Sequence, residues 1–294
     1  MTSTTPSVIK RPDEADASTL ARYLLTFDWE NRDEETHRYL VHEGLPLWHQ
    51  IIQFVPAAES GRALELGSPP FFITLLMQEL RDFELNLTAY TADGRPELQQ
   101  EVVSSEFGER HLLKCECFDI ERDRFPYDDG TFDLVLFFEV LEHLTVNPVY
   151  TLSEIHRVLK PGGMLVLSTP NVARPDAVLR LLRGRNIYDP YHLGAPLMGS
   201  RPSREYTFGE LRELIDGCGF NIERMGDIYI NPANRAKRIL ARTLMTVLSC
   251  FTRGRYGPHL FVRARKQDRP FQWHFPPSLF DAGHLSFYSG PRDS

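Results

Sequence analysis

The chain of 294 residues is 42% hydrophobic and 25% charged, which is typical of a globular protein and excludes a disordered or fibrous one. Its net charge of −7 argues against a molecule built as a whole to bind nucleic acid. We expect no transmembrane helix, because no run of about 18 apolar residues occurs, and no secretion signal, because the start MTSTTPSVIKRPDEADAS lacks an apolar core. The four cysteines form no zinc-binding pattern and fit a reducing cytoplasm.

The amino-terminal part, residues 1–56, is predicted to be a flexible lead-in followed by a helical cap. Apolar side chains recur at helical spacing between residues 14 and 55, and Pro56 ends the pattern. We expect this cap to cover one edge of the core of the following domain.

Residues 57–266 alternate between short apolar strands and helices, which predicts an α/β domain. The apolar runs are nearly continuous, as in parallel strands that are covered on both faces. Helices are predicted at residues 71–80 and 96–105. Strands are predicted at residues 63–66, 85–90, 112–117, 132–138, 164–168, 221–230 and 260–264.

Three segments of the chain depart from this alternation. Residues 172–206 lack periodicity and read as an insertion, which ends where Thr207 and Glu210 form a capping box for the next helix. Residues 234–252 form a basic stretch with a broad apolar stripe, which fits either a packed helix with solvated arginines or a segment that lies on an anionic membrane. The sequence of the tail, residues 267–294, predicts no particular fold.

The most informative segment, residues 125–171, contains FPYDDGTFDLVLFFEVLEHL followed by EIHRVLKPGGMLVLSTPN. It predicts two buried strands joined by a helical crossover, which is a βαβ unit. On the helix that we expect after the first of these strands, Glu139, Glu142 and His143 share one face. The cluster suits an acid/base face beside a ligand, a divalent-metal site, or a purely structural helix start.

These blocks resemble the class I S-adenosylmethionine (SAM)-dependent methyltransferases, and the resemblance covers residues 62–266. It implies an α/β, Rossmann-like fold with helices on both faces of a seven-stranded, mostly parallel sheet. The implied strand order is 3-2-1-4-5-7-6, with the last strand antiparallel. The implied cofactor is SAM. Residues 186–191 and 204–206 also resemble bacterial members that are associated with polysaccharide or glycolipid assembly.

The turn after the first strand resembles the E-x-G-x-G-x-G pattern of this family. Glu65 and Gly67 match the pattern, whereas Ser68 and two prolines replace its later glycines. Proline cannot donate a backbone hydrogen bond, so we expect fewer N–H contacts to the cofactor. The other cofactor contacts that we predict are Asp93 at the ribose, Asp119 and Ile120 at the adenine, and the pocket residues Phe138 and Glu139.

The chemistry that the resemblance implies is in-line methyl transfer, with His143 as the candidate catalytic base. Small-RNA 2′-O-methyltransferases bind a metal through a similar E-x-x-E-H motif and a further histidine, but Pro202 stands at the corresponding place here. We therefore predict no metal and keep Glu139, Glu142 and His143 as weak candidate ligands. The predicted substrate-binding residues are Asn171, Arg204 and Tyr206. The alternatives are that Asn171 orders its loop and that the residues around Tyr206 only pack the loop.

The function predicted from the sequence is O-methylation of a small-molecule acceptor or a glycan- or lipid-linked one. The alternatives are N- or C-methylation, 2′-O-methylation of a nucleic acid, or a non-catalytic SAM-binding module. Nucleic-acid binding is disfavoured by the acidic balance. The expected location is the cytoplasm, with peripheral contact to the inner membrane face through residues 234–255.

Overall fold

The computed structural model describes residues 17–30, 32, 34–57, 59–188, 202–228, 255–271 and 273–281. The helices in these parts are α1 (Ala17–Leu25), α2 (Glu34–Ile52), α3 (Phe72–Leu80), α4 (Pro148–Val158), α5 (Pro175–Leu182) and α6 (Phe208–Gly217). The strands are β1 (Phe27–Asp28), β2 (Ser60–Glu65), β3 (Asp82–Ala89), β4 (Glu97–Ser104), β5 (Glu109–Cys117), β6 (Phe132–Phe138), β7 (Leu159–Pro170), β8 (Phe220–Ile228) and β9 (His259–Lys266).

The strands form one sheet in the order β1-β4-β5-β3-β2-β6-β7-β9-β8. The five central strands β5, β3, β2, β6 and β7 are parallel, and β9 is antiparallel to β7 and to β8. The predicted order 3-2-1-4-5-7-6 is present within it as β5-β3-β2-β6-β7-β9-β8. The Rossmann-like α/β class is therefore confirmed, and the carboxyl ends of the parallel strands share one edge.

The predicted count of seven strands is wrong, because two further strands extend one side of the sheet. Residues 96–105 were predicted as a helix, but β4 pairs with β5 in an antiparallel ladder of eight residue pairs. Along β4 the more buried side chains alternate with the exposed ones, which is the period of a strand. Pro96, which suggested a helix start, directly precedes the strand, where its missing N–H breaks no ladder bond. The short strand β1 then pairs with β4 at the edge.

The helix that was predicted to begin at Glu139 is also absent. The backbone of Glu139 has a φ of 52°, in the left-handed region, so it cannot belong to a right-handed helix. A single 3-10 turn follows (Leu141–His143), and α4 starts only at Pro148, where the side chain of Asn147 accepts a hydrogen bond from the N–H of Val149. Glu139 therefore does not share a helical face with Glu142 and His143.

The hydrophobic core has two halves, one on each face of the sheet. Alternate residues of β6 point to opposite faces, with Leu134 and Leu136 in one half and Val135 and Phe137 in the other. Helices α1, α2 and α3 cover the first face, and α4 and α6 cover the second. The predicted helical cap thus packs over a whole face of the sheet as well as its edge.

The segments that departed from the strand–helix alternation are described only in part. The 172–206 insertion contains α5 and, as predicted, ends at the capping box of Thr207 and Glu210. The basic stretch 234–252 lies outside the described residues. Among the helices that are described, none is both long and apolar enough to span a bilayer. The domain boundaries at residues 56/57 and 266/267 stay predictions.

Arg81 joins the amino-terminal helices to the sheet. Its side chain is buried and donates to three carbonyl oxygens: Val55 at 2.9 Å, Leu80 at 2.7 Å and Ile52 at 3.0 Å. Two of these carbonyls follow or end α2, where a positive charge is favourable and unpaired carbonyls need a donor. Arg81 therefore satisfies the carboxyl end of α2 and fixes it against the start of β3.

We expect the substitution Arg81→Ala to lower the free energy of unfolding by about 3 kcal/mol, because three buried carbonyls lose a charged donor. Urea denaturation followed by circular dichroism measures this. The control is Arg22→Ala, whose exposed side chain pairs with Glu106 at the surface and should change stability little. Equal effects of the two substitutions would contradict the role of Arg81.

Candidate functional site

A cavity of about 480 Å³ opens at the carboxyl ends of the parallel strands. Its walls come from the turns that follow β2, β3, β5 and β6, so the sheet brings together segments far apart in sequence. This volume falls within the range of small-molecule sites. The residues that line the cavity include Gly67, Tyr90, Asp119, Ile120, Glu121, Glu139, Val140 and His143.

Gly67 shapes the turn after β2. Its φ is +75°, and a Cβ atom at this position would lie 2.7 Å from Cγ2 of Val140. Both the backbone conformation and the close approach therefore require glycine. The sequence pattern placed Gly67 correctly beside the cavity.

Thr88 of β3 accepts hydrogen bonds from two backbone N–H groups of this turn. Its Oγ1 accepts from the N–H of Gly67 at 3.2 Å, and its carbonyl accepts from the N–H of Ser68 at 2.8 Å. In return, the hydroxyl of Ser68 accepts from the N–H of Thr88 at 3.1 Å. Since both amides already have partners, the turn supplies shape to the cavity and not an array of free N–H groups.

Glu65, the last residue of β2, is buried behind this turn. Its Oε2 accepts a hydrogen bond of 2.7 Å from Thr74 of α3. Burial raises the pKa of this carboxyl to about 8, and the bond from Thr74 only partly offsets the rise. Glu65 is therefore largely protonated near neutral pH.

Asp119 and Ile120 lie in the cavity wall, as predicted. The Asp119 carboxylate accepts from the N–H of Glu121 at 2.9 Å, and the backbone N–H of Asp119 donates to Asp123 at 2.8 Å. These bonds hold the loop after β5 in place while the Asp119 side chain stays partly exposed, at 29%.

Glu121 is a wall residue that sequence reasoning missed. Its Oε1 accepts from the N–H groups of Thr145 at 2.8 Å and Val146 at 2.6 Å, which ties the loop after β5 to the approach to α4. Glu121 and residues 145–146 are far apart in the sequence, so no local sequence pattern indicates this contact.

Asp93 does not reach the cavity, contrary to its predicted ribose contact. It lies four residues beyond the end of β3, is exposed, and pairs with Arg95 at 2.5 Å, which lowers the pKa of Asp93 to about 2. Tyr90, directly after β3, lines the cavity instead.

A second cavity of about 250 Å³ adjoins the first and shares Gly67, Glu139 and His143 with it. The predicted residues Glu65, Ser68 and Phe138 line this inner cavity. Trp48 of α2 and Phe72 of α3 form an aromatic side wall, with their rings stacked at 4.8 Å. Their helical spacing indicated only a core position, so the sequence did not reveal them as site residues.

Glu139 lies where the two cavities meet, and its carboxylate contacts side chains of β7 and β9. Its Oε1 accepts from the hydroxyl of Ser168 at 2.7 Å, and its Oε2 lies 3.0 Å from Nδ1 of His259, the first residue of β9. Its left-handed backbone is the kind of strain that occurs at functional sites. The carboxylate is 25% exposed and the imidazole 20%.

The charges of Glu139 and His259 stabilise each other. Burial opposes the charged form of each, but their attraction and hydrogen bond prevail, so the pKa of Glu139 is lowered and the pKa of His259 is raised. His259 was not among the predicted site residues. The predicted antiparallel last strand was the available signal, since its first residue must lie at the carboxyl edge of the sheet.

Glu142 has the opposite electrostatic behaviour. Burial and the nearby charge of Glu139 raise its pKa well above the usual range, and the hydroxyl of Thr169 lies 3.1 Å from its Oε2. Nε2 of His143 is 3.7 Å from Oε1 of Glu142. The surroundings thus favour the ionised form of Glu139 and the neutral form of Glu142, and His143 lies on the cavity wall.

The predicted substrate residues do not line either cavity. The side chain of Asn171 is buried and donates to the carbonyls of Arg255 and Gly257, so it orders the chain after β7. Tyr206 is buried in the core, and Arg204 is directed to Glu210 at 2.6 Å. Asn171 thus orders its loop, the alternative that the sequence left open, and the substrate contacts of Arg204 and Tyr206 stay predictions.

The weak metal candidates Glu139, Glu142 and His143 are not arranged as a ligand set. Within the described part of the chain, no group of three or more histidine, cysteine, aspartate or glutamate residues is placed to hold a metal ion. The left-handed backbone of Glu139 turns its carboxylate towards β7 and β9.

Comparison with known proteins identifies the segment that carries the site. Residues 65–167 match the family described as methyltransferase domain. A Mycolicibacterium smegmatis protein named "Probable S-adenosylmethionine-dependent methyltransferase" is 34% identical over 99 residues, 33% of this chain and 32% of that protein. An uncharacterised Methanocaldococcus jannaschii protein is 50% identical over 46 residues, 16% of this chain and 20% of that protein. The chain thus matches a third or less of the length of these relatives.

The fold also matches solved structures. A chain in the complex of the Haloferax volcanii Trm112 methyltransferase activator with a protein assigned as a methyltransferase aligns with a TM-score of 0.50. The alignment covers 78% of this chain and 93% of that one, at 15% identity. This likeness supports the fold alone.

We expect Glu65 to lower the free energy of unfolding progressively as the pH rises from about 4.5 to about 8. The folded state holds a proton on Glu65 that the unfolded state, with its ordinary pKa of 4.5, has already released. Glu65→Gln removes this cost, so the variant should gain stability relative to the parent over that range. Urea denaturation at both ends of the range measures the difference; the exposed Glu84→Gln serves as control, and parallel curves for parent and Glu65→Gln would contradict the assignment.

Proposed function

We propose that this chain, whose residues 65–167 match a methyltransferase domain family, is a class I SAM-dependent methyltransferase that transfers a methyl group from SAM to a hydroxyl of a small-molecule, glycan or lipid-linked acceptor. The observation that carries the proposal is the ionised Glu139 where the two adjoining cavities meet. A methyltransferase needs two joined sites, one for the cofactor and one for the acceptor, and a group that takes up the acceptor proton.

The larger cavity fits the cofactor. Its volume suits a nucleoside-sized ligand, and bound SAM supplies an electrophilic methyl carbon on a positively charged sulfur. Asp119 and the backbone of Ile120 would hold the adenine end, and Gly67 lets the chain approach the amino-acid end. The negative charge of Glu139 favours a cation beside it.

The smaller cavity suits the acceptor. Trp48 and Phe72 would exclude water and pack against an apolar or ring-shaped group, while Glu139 and His143 lie on both cavity walls. Glu139 can accept the hydroxyl proton because His259 keeps it ionised. His143, predicted as the base from sequence, remains the second candidate for this step. Alignment of the acceptor with the methyl carbon would supply most of the rate enhancement.

We propose that the acceptor carries its hydroxyl group on a ring. An aromatic wall and a carboxylate suit a hydroxyl-bearing ring, whereas a nucleic acid would call for a basic face that the net charge of −7 does not favour. Nitrogen and carbon acceptors would fit the same geometry. We also propose a cytoplasmic location with contact to the inner membrane face, as the basic stretch suggested.

A non-catalytic SAM-binding module is the second candidate, because the amides of Gly67 and Ser68 are already occupied by Thr88. Calorimetry with SAM, followed by methyl transfer to a panel of hydroxyl, amine and nucleic-acid acceptors, separates the two. Binding with turnover of a hydroxyl acceptor supports the proposal; binding without turnover of any acceptor supports the module; absence of SAM binding overturns both.

We expect Asp119→Asn to weaken SAM binding about tenfold, since one charged hydrogen bond contributes about 1.4 kcal/mol or more. Asp93→Asn is the matched control and should leave binding unchanged, because Asp93 pairs with Arg95 outside the cavity. Calorimetry on both variants provides the measurement. A larger loss for the Asp93 variant would reverse the assignment.

We expect Glu139→Gln to lower kcat about 100-fold or more, the usual contribution of a general base, with SAM affinity changed far less.

In His259→Gln the pKa of Glu139 should rise, since its cationic partner is gone, so the acidic limb of the kcat/KM profile should move to higher pH. His111→Gln removes a comparable histidine–glutamate pair on β5 and should leave the profile unchanged. If His143→Gln alone abolishes turnover and the His259 variant keeps the parent profile, His143 is the base.

A further inference from the structure

Helix α5 (Pro175–Leu182) presents its apolar side chains to the outside of the molecule. The exposed fractions are 38% for Val178, 40% for Leu179, 57% for Leu181 and 79% for Leu182, and Ala177 is the residue of the helix that is buried. Positions i, i+1, i+3 and i+4 lie on one side of a helix, so these four form one continuous apolar surface. Such a patch marks an interaction site when it is rimmed by polar residues.

The rim of this surface is basic. Arg183 and Arg185 follow the helix directly and are exposed, and the one acid within Pro175–Leu182 is Asp176 at its start. The chain as a whole is acidic, with a net charge of −7. An apolar surface beside exposed arginines matches a layer that is anionic outside and hydrocarbon inside.

A second basic stretch is attached at the same place. Residues 229–254 contain Arg235, Lys237, Arg238, Arg242 and Arg253 and no acid. The chain enters this stretch after β8 and returns at Arg255, whose carbonyl accepts a hydrogen bond of 3.0 Å from the side chain of Asn171. Asn171 lies three residues before Arg174, the cap of α5. Two segments of excess positive charge therefore join the fold at one point.

We propose that α5 docks onto an anionic phospholipid membrane, with Leu181 and Leu182 inserted between the lipids and Arg183 and Arg185 at the headgroups. A nucleic acid would attract the arginines but offer nothing for the exposed leucines. A protein partner would cover the leucines but would not by itself account for the concentration of positive charge in an acidic protein. The lipid surface satisfies both.

The docking also agrees with the position of the cavities. Helix α5 follows β7, and Asn171, directly after β7, is at the carboxyl edge of the sheet, where Glu139 and both cavities lie. A membrane on α5 therefore faces the same edge of the sheet as the site. The proposal stands on the surface of α5 and needs neither SAM nor turnover, so it can fail or succeed independently of the proposed function.

Flotation of the full chain with vesicles tests the proposal. We expect binding to vesicles of phosphatidylcholine mixed with phosphatidylglycerol and little binding to phosphatidylcholine alone. Leu181→Ser/Leu182→Ser should weaken binding at least tenfold. Arg183→Gln/Arg185→Gln should weaken it about 25-fold, because each basic residue at such a surface contributes about fivefold.

Two control variants match these substitutions. Leu112→Ser removes a leucine of β5 that is 58% exposed but stands alone, and should bind as the parent does. Arg110→Gln/Arg124→Gln removes the same charge from exposed positions outside α5 and should have a much smaller effect. Thermal melts followed by circular dichroism establish that each variant is folded, and the arginine variant keeps the test valid if the leucine variant does not fold.

Three outcomes would overturn the proposal. One is the absence of binding to anionic vesicles. Another is binding that both the leucine and the arginine variants retain, which would assign the contact to another part of the chain. The last is self-association in light scattering that Leu181→Ser/Leu182→Ser abolishes without any vesicle binding, which would make α5 an interface between two copies.

Discussion

The site depends on one constraint, the parallel pairing of β5, β3, β2, β6 and β7. Parallel strands end at the same edge, so the turns after them must converge even though they are far apart in sequence. This places Gly67, Asp119 and Glu139 around one space. The antiparallel β9 completes the arrangement, because its first residue, His259, reaches that edge from the other direction. His259 thus meets a glutamate that lies 120 positions earlier in the sequence.

The turn after β2 shows how the fold compensates for a changed glycine-rich sequence. Two prolines remove donors from the turn, and Thr88 occupies the remaining amides of Gly67 and Ser68. The result is a turn fixed by β3 and not by a ligand. A ligand in this cavity must then gain its polar contacts elsewhere, and the partly exposed Asp119 and Glu139 are available for them. Ordering the turn in advance also lowers the entropy lost on binding.

Sequence reasoning succeeded where the information was local or carried by a family-wide strand order. The central strands, α3 and the capping box of Thr207 and Glu210 follow from apolar runs and cap residues. It failed at β4, where a helix-start proline outweighed a weak alternation, and at Glu139, whose left-handed backbone no periodicity encodes. Asn171 and Tyr206 were read as substrate contacts from their place in the chain, but both side chains are buried. The aromatic wall and His259 depend on contacts between distant segments, which a single sequence does not reveal.

The surroundings of Glu139 and Glu142 shift the pKa values of these two carboxyl groups in opposite directions, and this difference distinguishes their proposed roles. Both are engaged by hydroxyl groups of β7, Ser168 for Glu139 and Thr169 for Glu142. The charge of His259 favours the ionised form of Glu139, and the negative charge of Glu139 in turn makes a second charge on Glu142 unfavourable. Two carboxyl groups whose pKa values are driven apart in this way behave as a base and an acid. In the proposed reaction Glu139 is then the group that accepts the proton, while the neutral form of Glu142 can donate a hydrogen bond as well as accept the one from Thr169. His259 governs the site by keeping the negative charge on Glu139, the residue shared by both cavities.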